Sequence, residues 1–157
     1  MKMKIETLTS QIHDLTLPSY QFKIHQNLFT TPKWKKEFNN RIRQNVRDEI
    51  GIYIWTNGDT SEILYIGMAG KLHQNGDFAN HTVQKRLLAT RGKDSTTKKE
   101  IQTNEYVRLI MSKIKCSSID IHIFHTRPNQ LPGYVEAVLI NTFFQSTNNL
   151  PLLNAAF

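Results

Sequence analysis

Two neighbouring stretches of the chain carry the hydrophobic pattern of β-strands. Residues 51–55 read Gly-Ile-Tyr-Ile-Trp and residues 63–67 read Ile-Leu-Tyr-Ile-Gly, both rich in β-branched and aromatic side chains. Turn-forming residues occupy 57–61 between them. The pattern predicts a β-hairpin that pairs Tyr53 with Tyr65 and can present both phenols on one face. The opposite, core-forming face carries Ile52, Ile54, Leu64 and Ile66.

A helical period precedes the hairpin. Trp34, Phe38, Ile42 and Val46 recur every four positions, which predicts an amphipathic helix over residues 32–47. Lysines and arginines fill the positions between them, so the face opposite the apolar stripe is basic. The pattern leaves open whether this face is only solvated or contacts a polyanion.

Helix-like and strand-like patterns alternate in the rest of the chain, and the predicted order is β-β-α-α-β-α. The later elements are helices over residues 81–91, 98–114 and 132–146 and a strand over residues 118–125. The sequence changes character near residue 49, because charge dominates before it and strand-like runs begin after it. We therefore divide the chain into an N-terminal extension, residues 1–48, and a domain, residues 49–157.

Charge narrows the class of partner. Twenty Lys and Arg residues against 13 Asp and Glu residues give a formal net charge of +7. Such a surplus favours polyanions, with nucleic acid first and an anionic membrane second. No apolar run approaches the roughly 20 residues that span a bilayer, and no signal-peptide core is present, so we expect a cytoplasmic protein. The single cysteine, Cys116, excludes an internal disulfide and a cysteine-cluster zinc site.

Glu136 is the only acidic or basic side chain between Pro128 and Phe157. On the predicted helix it shares a stripe with Ile140 and Phe143, where an unpaired charge costs several kcal/mol. A carboxylate in the first turn gains only about 0.3 to 1 kcal/mol from the helix dipole. Because the cost of the unpaired charge exceeds the gain from the dipole, we favour a metal-binding role for Glu136. The helix dipole is the alternative explanation.

The two hairpin strands carry a pair of triplets at a defined spacing. Gly51-Ile52-Tyr53 is followed, after eleven residues, by Tyr65-Ile66-Gly67. This arrangement resembles the two-part motif of the GIY-YIG nuclease superfamily, and the resemblance covers residues 50–157. It implies an α+β fold, in which a small central antiparallel sheet, the hairpin plus a third strand, is flanked by helices. Residues 1–48 would add a helical extension.

The resemblance also implies the residues of a catalytic site. Tyr53 and Tyr65 would lie on its catalytic face, and Tyr53 would activate a water molecule. Arg86 would hold the scissile phosphate, and Glu136 would coordinate one divalent ion, Mg²⁺ or alternatively Mn²⁺. Asn154 would hydrogen-bond in the wall of the site. Contact with the substrate is assigned to Gly67, Lys71, Lys85 and Arg91.

The resemblance is incomplete at one position. Many members carry a His or Tyr one helical turn after the arginine, and this chain has Thr90 there. His81 and His73 are candidates to replace that group, although their spacing does not force them into the site. His122 and His125 fall on opposite faces of their strand, so we interpret both as structural.

These observations predict a metal-dependent endonuclease that hydrolyses duplex DNA, of the restriction type. Cutting both strands of a palindromic site requires two active sites, which implies a homodimer. Two alternatives remain open: a structure-specific repair or recombination nuclease, and an inactive DNA-binding module of the same fold. A protein that binds a membrane surface through the basic helix is a third class.

Overall fold

The computed structural model describes residues 2–12, 15, 20–77, 81–94 and 96–154. Its helices are α1 (Ile5–Thr9), α2 (Trp34–Asn45), α3 (Val83–Leu88), α4 (Thr103–Ile114) and α5 (Pro132–Thr147), with a 3₁₀ helix at Gln26–Thr30. Its strands are β1 (Tyr20–His25), β2 (Gly51–Asn57), β3 (Ile63–Ala69), β4 (Thr90–Lys93), β5 (Glu100–Gln102) and β6 (Ser118–His125).

The main sheet is antiparallel and has the strand order β1-β6-β2-β3, while β4 and β5 form a separate two-stranded ribbon. The α+β class is confirmed, but a sheet of only three strands is wrong. The fourth strand, β1, lies within the segment that was predicted to be a helical extension. It is an edge strand in which Ile24 alone is fully buried, so its sequence lacks a clear alternation.

The hairpin forms with a register that differs from the prediction. Tyr53 pairs with Gly67 and Trp55 pairs with Tyr65, so the two motif tyrosines are diagonal neighbours rather than direct partners. A bulge then shifts the pairing between Trp55 and Thr56. Because a one-residue shift exchanges the faces of a strand, Ile63 rather than Leu64 joins Ile52, Ile54 and Ile66.

Both faces of the main sheet are covered. Residues of α2, α3 and α4 pack in one cluster with Tyr53 and Trp55, and residues of α1 and α5 pack in another with Ile52 and Ile54. Every residue of β2 is buried, and Tyr53 has no exposed surface. The prediction that only one face of the hairpin is core is therefore wrong.

The apolar stripe of α2 faces the core as predicted. Phe38, Ile42 and Val46 are buried in the cluster that contains Tyr53, and the ring of Trp34 lies edge-on to that of Phe29 at 5.3 Å. The apolar side chains of this helix are therefore engaged within the protein. None of the helices in the described residues is long and apolar enough to cross a membrane.

The segment between α3 and α4 differs most from the sequence prediction. The helix expected over residues 81–91 ends at Leu88, and the helix expected from residue 98 begins at Thr103. The ribbon β4–β5 fills the interval, and Gly92 within it has a φ of +156°. Strands this short leave too few positions for alternation to be recognised. The helix over residues 132–146 and the strand over 118–125 are confirmed.

Candidate active site

An open cleft lies beside the end of β3, the edge strand of the main sheet. Its volume is about 320 Å³. Helices from the two faces of the sheet reach it: α3 supplies Arg86 and α5 supplies Glu136. The cleft is lined by Tyr53, Tyr65, Met68, Ala69, Gly70, Lys71, His81, Arg86 and Glu136.

Gly70 allows α5 to approach the end of β3. Its φ is +112°, and a Cβ atom there would lie 2.6 Å from Cγ2 of Ile50 and 3.3 Å from Cγ of Pro132. Only glycine adopts this backbone conformation without strain and leaves room for the first turn of α5. Glu136, one turn after Pro132, consequently lies at the cleft.

The two motif tyrosines stack beside each other over Gly67. Their ring centroids are 5.8 Å apart at an interplanar angle of 36°. A Cβ atom on Gly67 would lie 2.6 Å from both Cζ of Tyr53 and Cε1 of Tyr65, distances that real contacts do not reach. Gly67, predicted to contact substrate, therefore serves as the surface on which both rings rest.

Arg91 joins the two phenols. Its Nη1 donates to the Tyr65 hydroxyl at 3.2 Å, and its Nη2 donates to the Tyr53 hydroxyl at 3.3 Å. The guanidinium carbon lies 5.4, 5.0 and 5.1 Å from the ring centroids of Tyr53, Trp55 and Tyr65. Arg91 was assigned to substrate contact, yet it is not among the residues that line the cleft.

Trp55 is the member of this cluster that the sequence reasoning did not assign to the site. It follows Tyr53 by two positions, so strand alternation places both side chains on the same face. That signal was available in the sequence. What the sequence lacked was the position of Arg91, which depends on the ribbon β4–β5.

Thr90 does not occupy a position one turn along the helix from Arg86. Because α3 ends at Leu88, Thr90 opens β4 and is exposed. The chain changes direction there, and the next residue, Arg91, is the one that reaches the tyrosines. The position at which the sequence differs from the family pattern, Thr90, is thus also the position at which the helix has given way to a strand.

Glu136 is half-buried, and burial raises the pKa of its carboxyl group, while the charge of Arg86 lowers it by a smaller amount. Because α5 begins at Pro132, Glu136 lies beyond the first turn. The favourable interaction with the helix dipole falls off there. The dipole explanation for this carboxylate is correspondingly weak, and Arg86 is the nearby group that favours its charged form.

Asn154 holds the edge of the sheet. Its Oδ1 accepts from the backbone N–H of Ile66, and its Nδ2 donates to the carbonyl of the same residue, both at 2.8 Å. The side-chain amide thus satisfies the free edge of β3 as a neighbouring strand would. Asn154 is placed behind the YIG triplet, and it is not among the residues that line the cleft.

The remaining predicted residues divide into those at the cleft and those away from it. Lys71 and His81 line it, and both are exposed. Lys85 is exposed on α3 and does not line the cleft, and neither does His73. His81 is therefore the histidine of this region that reaches the cleft.

His122 and His125 have structural roles. Nε2 of His122 lies 3.0 Å from Oγ1 of Thr56 in the buried interior. Burial lowers the pKa of its imidazole. Nδ1 of His125 lies 3.0 Å from the carbonyl oxygen of Ile50, and its ring packs against Tyr20. Neither histidine lines the cleft.

Glu136 suits a divalent cation held by few protein ligands. Within the described residues, no side chain forms a hydrogen bond or close ion pair with its carboxylate, which faces the cleft. The same part of the chain contains no cluster of three or more His, Cys, Asp and Glu side chains that could hold a metal ion. A hard cation such as Mg²⁺ keeps several waters and binds through one or two carboxylates plus substrate phosphate, so this donor set fits it.

A larger cavity, about 510 Å³, lies beside the C-terminal end of α5. Its charged side chains are Lys2 and Glu62, and its other lining residues include Phe143, Leu150 and Leu152. Among the described residues, no tyrosine, histidine or arginine lines it. Size alone would select this cavity, but the smaller cleft carries the groups suited to acid–base and phosphate chemistry.

The candidate site rests on the residues of this chain. No protein-family model, curated protein or solved structure matches the chain. The cleft that contains Tyr53, Tyr65, Arg86 and Glu136 is therefore the basis of the functional interpretation.

Proposed function

We propose that this protein is a metal-dependent endonuclease that hydrolyses phosphodiester bonds in DNA, similar to restriction-type GIY-YIG enzymes. One observation carries the proposal. Arg86 and Glu136 come from helices on opposite faces of the sheet and meet the motif tyrosines, Tyr53 and Tyr65, in one cleft. The paired triplets Gly51–Tyr53 and Tyr65–Gly67 resemble that superfamily at the same place.

Arg86 is the proposed ligand of the scissile phosphate. Its planar guanidinium can donate two parallel hydrogen bonds to phosphate oxygens, which gives orientation as well as attraction. Lys71, exposed at the same cleft, adds positive charge for a polyanionic strand. These two groups would hold the phosphate while charge develops on it.

The tyrosines take different proposed roles. Burial, followed by the proximity of Tyr53, raises the pKa of Tyr65 to about 12. Tyr65 therefore keeps its proton at neutral pH and serves as a neutral hydrogen-bonding group. Tyr53 is the residue proposed to orient and activate the attacking water.

Glu136 would hold the metal ion. When bound, Mg²⁺ would act as a Lewis acid that stabilises negative charge on the phosphate. Burial raises the pKa of Glu136, and the charge of the neighbouring Arg86 opposes part of that rise and so favours the ionised carboxylate that a cation requires.

Duplex DNA is the proposed substrate because the net charge of +7 favours a polyanion and the cleft is open rather than enclosed. Cleavage of both strands at a palindromic site would need two copies of the chain related by a two-fold axis. Sequential nicking by one copy is the other route to a double-strand break.

Cleavage of supercoiled plasmid tests the proposal. The purified protein is incubated with Mg²⁺, Mn²⁺ or EDTA, and nicked and linear products are quantified. Glu136→Gln and Arg86→Gln should lose activity. The matched controls are Glu105→Gln and Arg108→Gln, an ion pair on α4 away from the cleft, which should cleave as the unaltered protein does.

The outcomes separate the competing functions. Metal-dependent cleavage that Glu136→Gln abolishes supports the endonuclease. Preference for branched over plain duplex oligonucleotides would identify a structure-specific nuclease instead. Salt-sensitive DNA binding without cleavage of DNA or RNA under either metal would refute catalysis and leave the DNA-binding module.

A further inference from the structure

Arg91 is a partly buried cation, and its environment within the described residues is aromatic rather than acidic. No Asp or Glu in the described residues forms an ion pair with it. Its Nε is buried and has no hydrogen-bond partner in that same part of the chain. Charged groups that are shielded from water are normally paired with an opposite charge, so the partly buried guanidinium of Arg91 needs another source of stabilisation.

Within the described residues, the compensation comes from aromatic groups of the site. Three ring faces, those of Tyr53, Trp55 and Tyr65, surround the guanidinium at 5.0 to 5.4 Å. Its two terminal nitrogens donate to the two phenolic oxygens. A guanidinium is planar and rigid, so two of its N–H groups fix the separation of the two acceptors as well as binding each one.

The position of Arg91 distinguishes it from a phosphate ligand. Arg86 lines the cleft, whereas Arg91 does not. The two terminal nitrogens of Arg91 are already hydrogen-bonded to the two hydroxyls. Arg91 would therefore act on the substrate through the tyrosines.

We propose that Arg91 is a positioning residue, which holds the hydroxyls of Tyr53 and Tyr65 in register at the edge of the phosphate-binding cleft. This inference rests on the proposed endonuclease function. It assigns a purpose to the ribbon β4–β5, whose first strand delivers Arg91 to the tyrosines immediately after the exposed Thr90.

The hydrogen-bonding pattern gives this positioning a direction. Arginine only donates hydrogen bonds, so each phenolic oxygen accepts one from Arg91 with one of its own lone pairs. Burial and the proximity of Tyr53 raise the pKa of Tyr65, and the charge of Arg91 opposes only part of this rise, so Tyr65 remains a neutral acceptor beside Tyr53. The two hydroxyls are therefore restrained as one unit, and loss of Arg91 would release both.

The test compares Arg91→Met, which keeps an unbranched, flexible side chain but has no charge and no donors, with Arg91→Lys, which keeps the charge but not the planar fork. Arg108→Met is the matched control, because Arg108 also stacks on an aromatic ring, that of Trp34 at 5.5 Å, away from the cleft. The turnover rate on plasmid DNA with Mg²⁺ and the Kd for an uncleaved duplex are measured separately.

We expect Arg91→Met to lower kcat by about 100-fold, the loss typical of reacting groups misplaced by about 1 Å, without changing the Kd for DNA. Arg91→Lys should recover part of kcat, and Arg108→Met should match the unaltered protein. Combined with Tyr65→Phe, Arg91→Met should add little further loss, because both changes release the same unit. An unchanged kcat, a loss confined to Kd, or losses that multiply would each overturn the inference.

A second measurement does not depend on catalysis. In ¹⁵N-labelled protein, the side-chain NMR signals of Arg91 should show hindered rotation of the guanidinium, and Tyr65→Phe should relieve it. Free rotation in the unaltered protein would overturn the inference whether or not DNA is cleaved. Hindered rotation in a protein that cleaves no nucleic acid would refute the proposed function and the positioning role together, leaving Arg91 a structural residue.

Discussion

Gly67→Ala is the substitution that most directly tests the geometry of the tyrosine pair. A Cβ atom there would lie 2.6 Å from Cζ of Tyr53, 2.6 Å from Cε1 of Tyr65 and 2.7 Å from Cε2 of Tyr53. Ordinary carbon contacts are about 3.5 to 4.0 Å, so the rings must retreat by roughly 1 Å. Trp55 and Arg91 contact both rings, which restrains such a movement.

The expected cost follows from these distances. Overpacking of a core costs about 1 to 3 kcal/mol. The smaller conformational entropy of alanine in the unfolded chain offsets about 0.4 to 1 kcal/mol of this. We therefore expect a net destabilisation of roughly 1 to 2 kcal/mol, or a Tm lowered by about 2 to 8 °C for a chain of this size. A displacement of about 1 Å in the hydroxyls should also lower DNA cleavage by about 100-fold.

Thermal and urea denaturation measure the first effect, and plasmid nicking measures the second. Gly133→Ala is the matched control, because its Cβ would meet only the flexible end of Met68, at 3.4 Å. Alanine in a helix is favoured over glycine by about 0.5 to 1 kcal/mol, so this control should be as stable as the unaltered protein or more so. A Gly67→Ala protein with unchanged Tm and activity would refute the stacking of both rings over this glycine.

Three further predictions follow from the cleft and the core. Burial raises the pKa of Glu136, so the contribution of its carboxyl group to stability is present at acidic pH and is lost as the pH rises through that pKa. Glu136→Gln should therefore raise the Tm at neutral pH and lose that advantage near pH 4. The same substitution should abolish the Tm increase that Mg²⁺ gives the unaltered protein. A Tm below that of the unaltered protein at neutral pH would contradict this. Asn154→Ala removes two hydrogen bonds to Ile66 and should cost about 1 to 3 kcal/mol in urea denaturation, whereas Asn149→Ala, whose bonds are local and exposed, should cost less than about 0.5 kcal/mol. Equal losses would show that the edge of β3 is not held in this way. Burial lowers the pKa of His122, so the stability of the protein should fall as the pH drops below about 6.5. His122→Gln should flatten that fall, whereas the exposed control His73→Gln should not. Identical pH curves for the two variants would refute the structural role of a buried, neutral His122.

The cleft and the residues behind its tyrosines combine features that work against stability. A carboxylate is half-buried at Glu136, and the partly buried guanidinium of Arg91 has no carboxylate partner in the described residues. Desolvation of each group costs folding free energy, which the aromatic contacts of Arg91 and hydrophobic packing elsewhere must offset. Stabilisation by Glu136→Gln together with loss of cleavage would fit a carboxylate kept for binding a cation rather than for folding.

The sequence by itself determined the elements that local patterns encode. Alternation identified β2, β3 and β6, and the four-residue period identified α2 and α5, because side-chain direction repeats every two residues in a strand and about every 3.6 in a helix. The same alternation predicted that Tyr53 and Tyr65 lie on one face of the hairpin. They do so although the register differs from the predicted one, because the two registers differ by an even number of residues.

Only the tertiary structure decided which distant groups meet. The edge strand β1 depends on pairing with β6, and its own sequence carries little alternation. Leu64 changed faces because a bulge, which the local pattern does not encode, inserts one residue beside Trp55. Arg91 reached the phenols through a short ribbon, and Glu136 reached the cleft because Gly70 lets α5 pack against the strand end. Local propensities fix directions within an element, whereas convergence at a site depends on packing between elements, which no single segment of the sequence specifies.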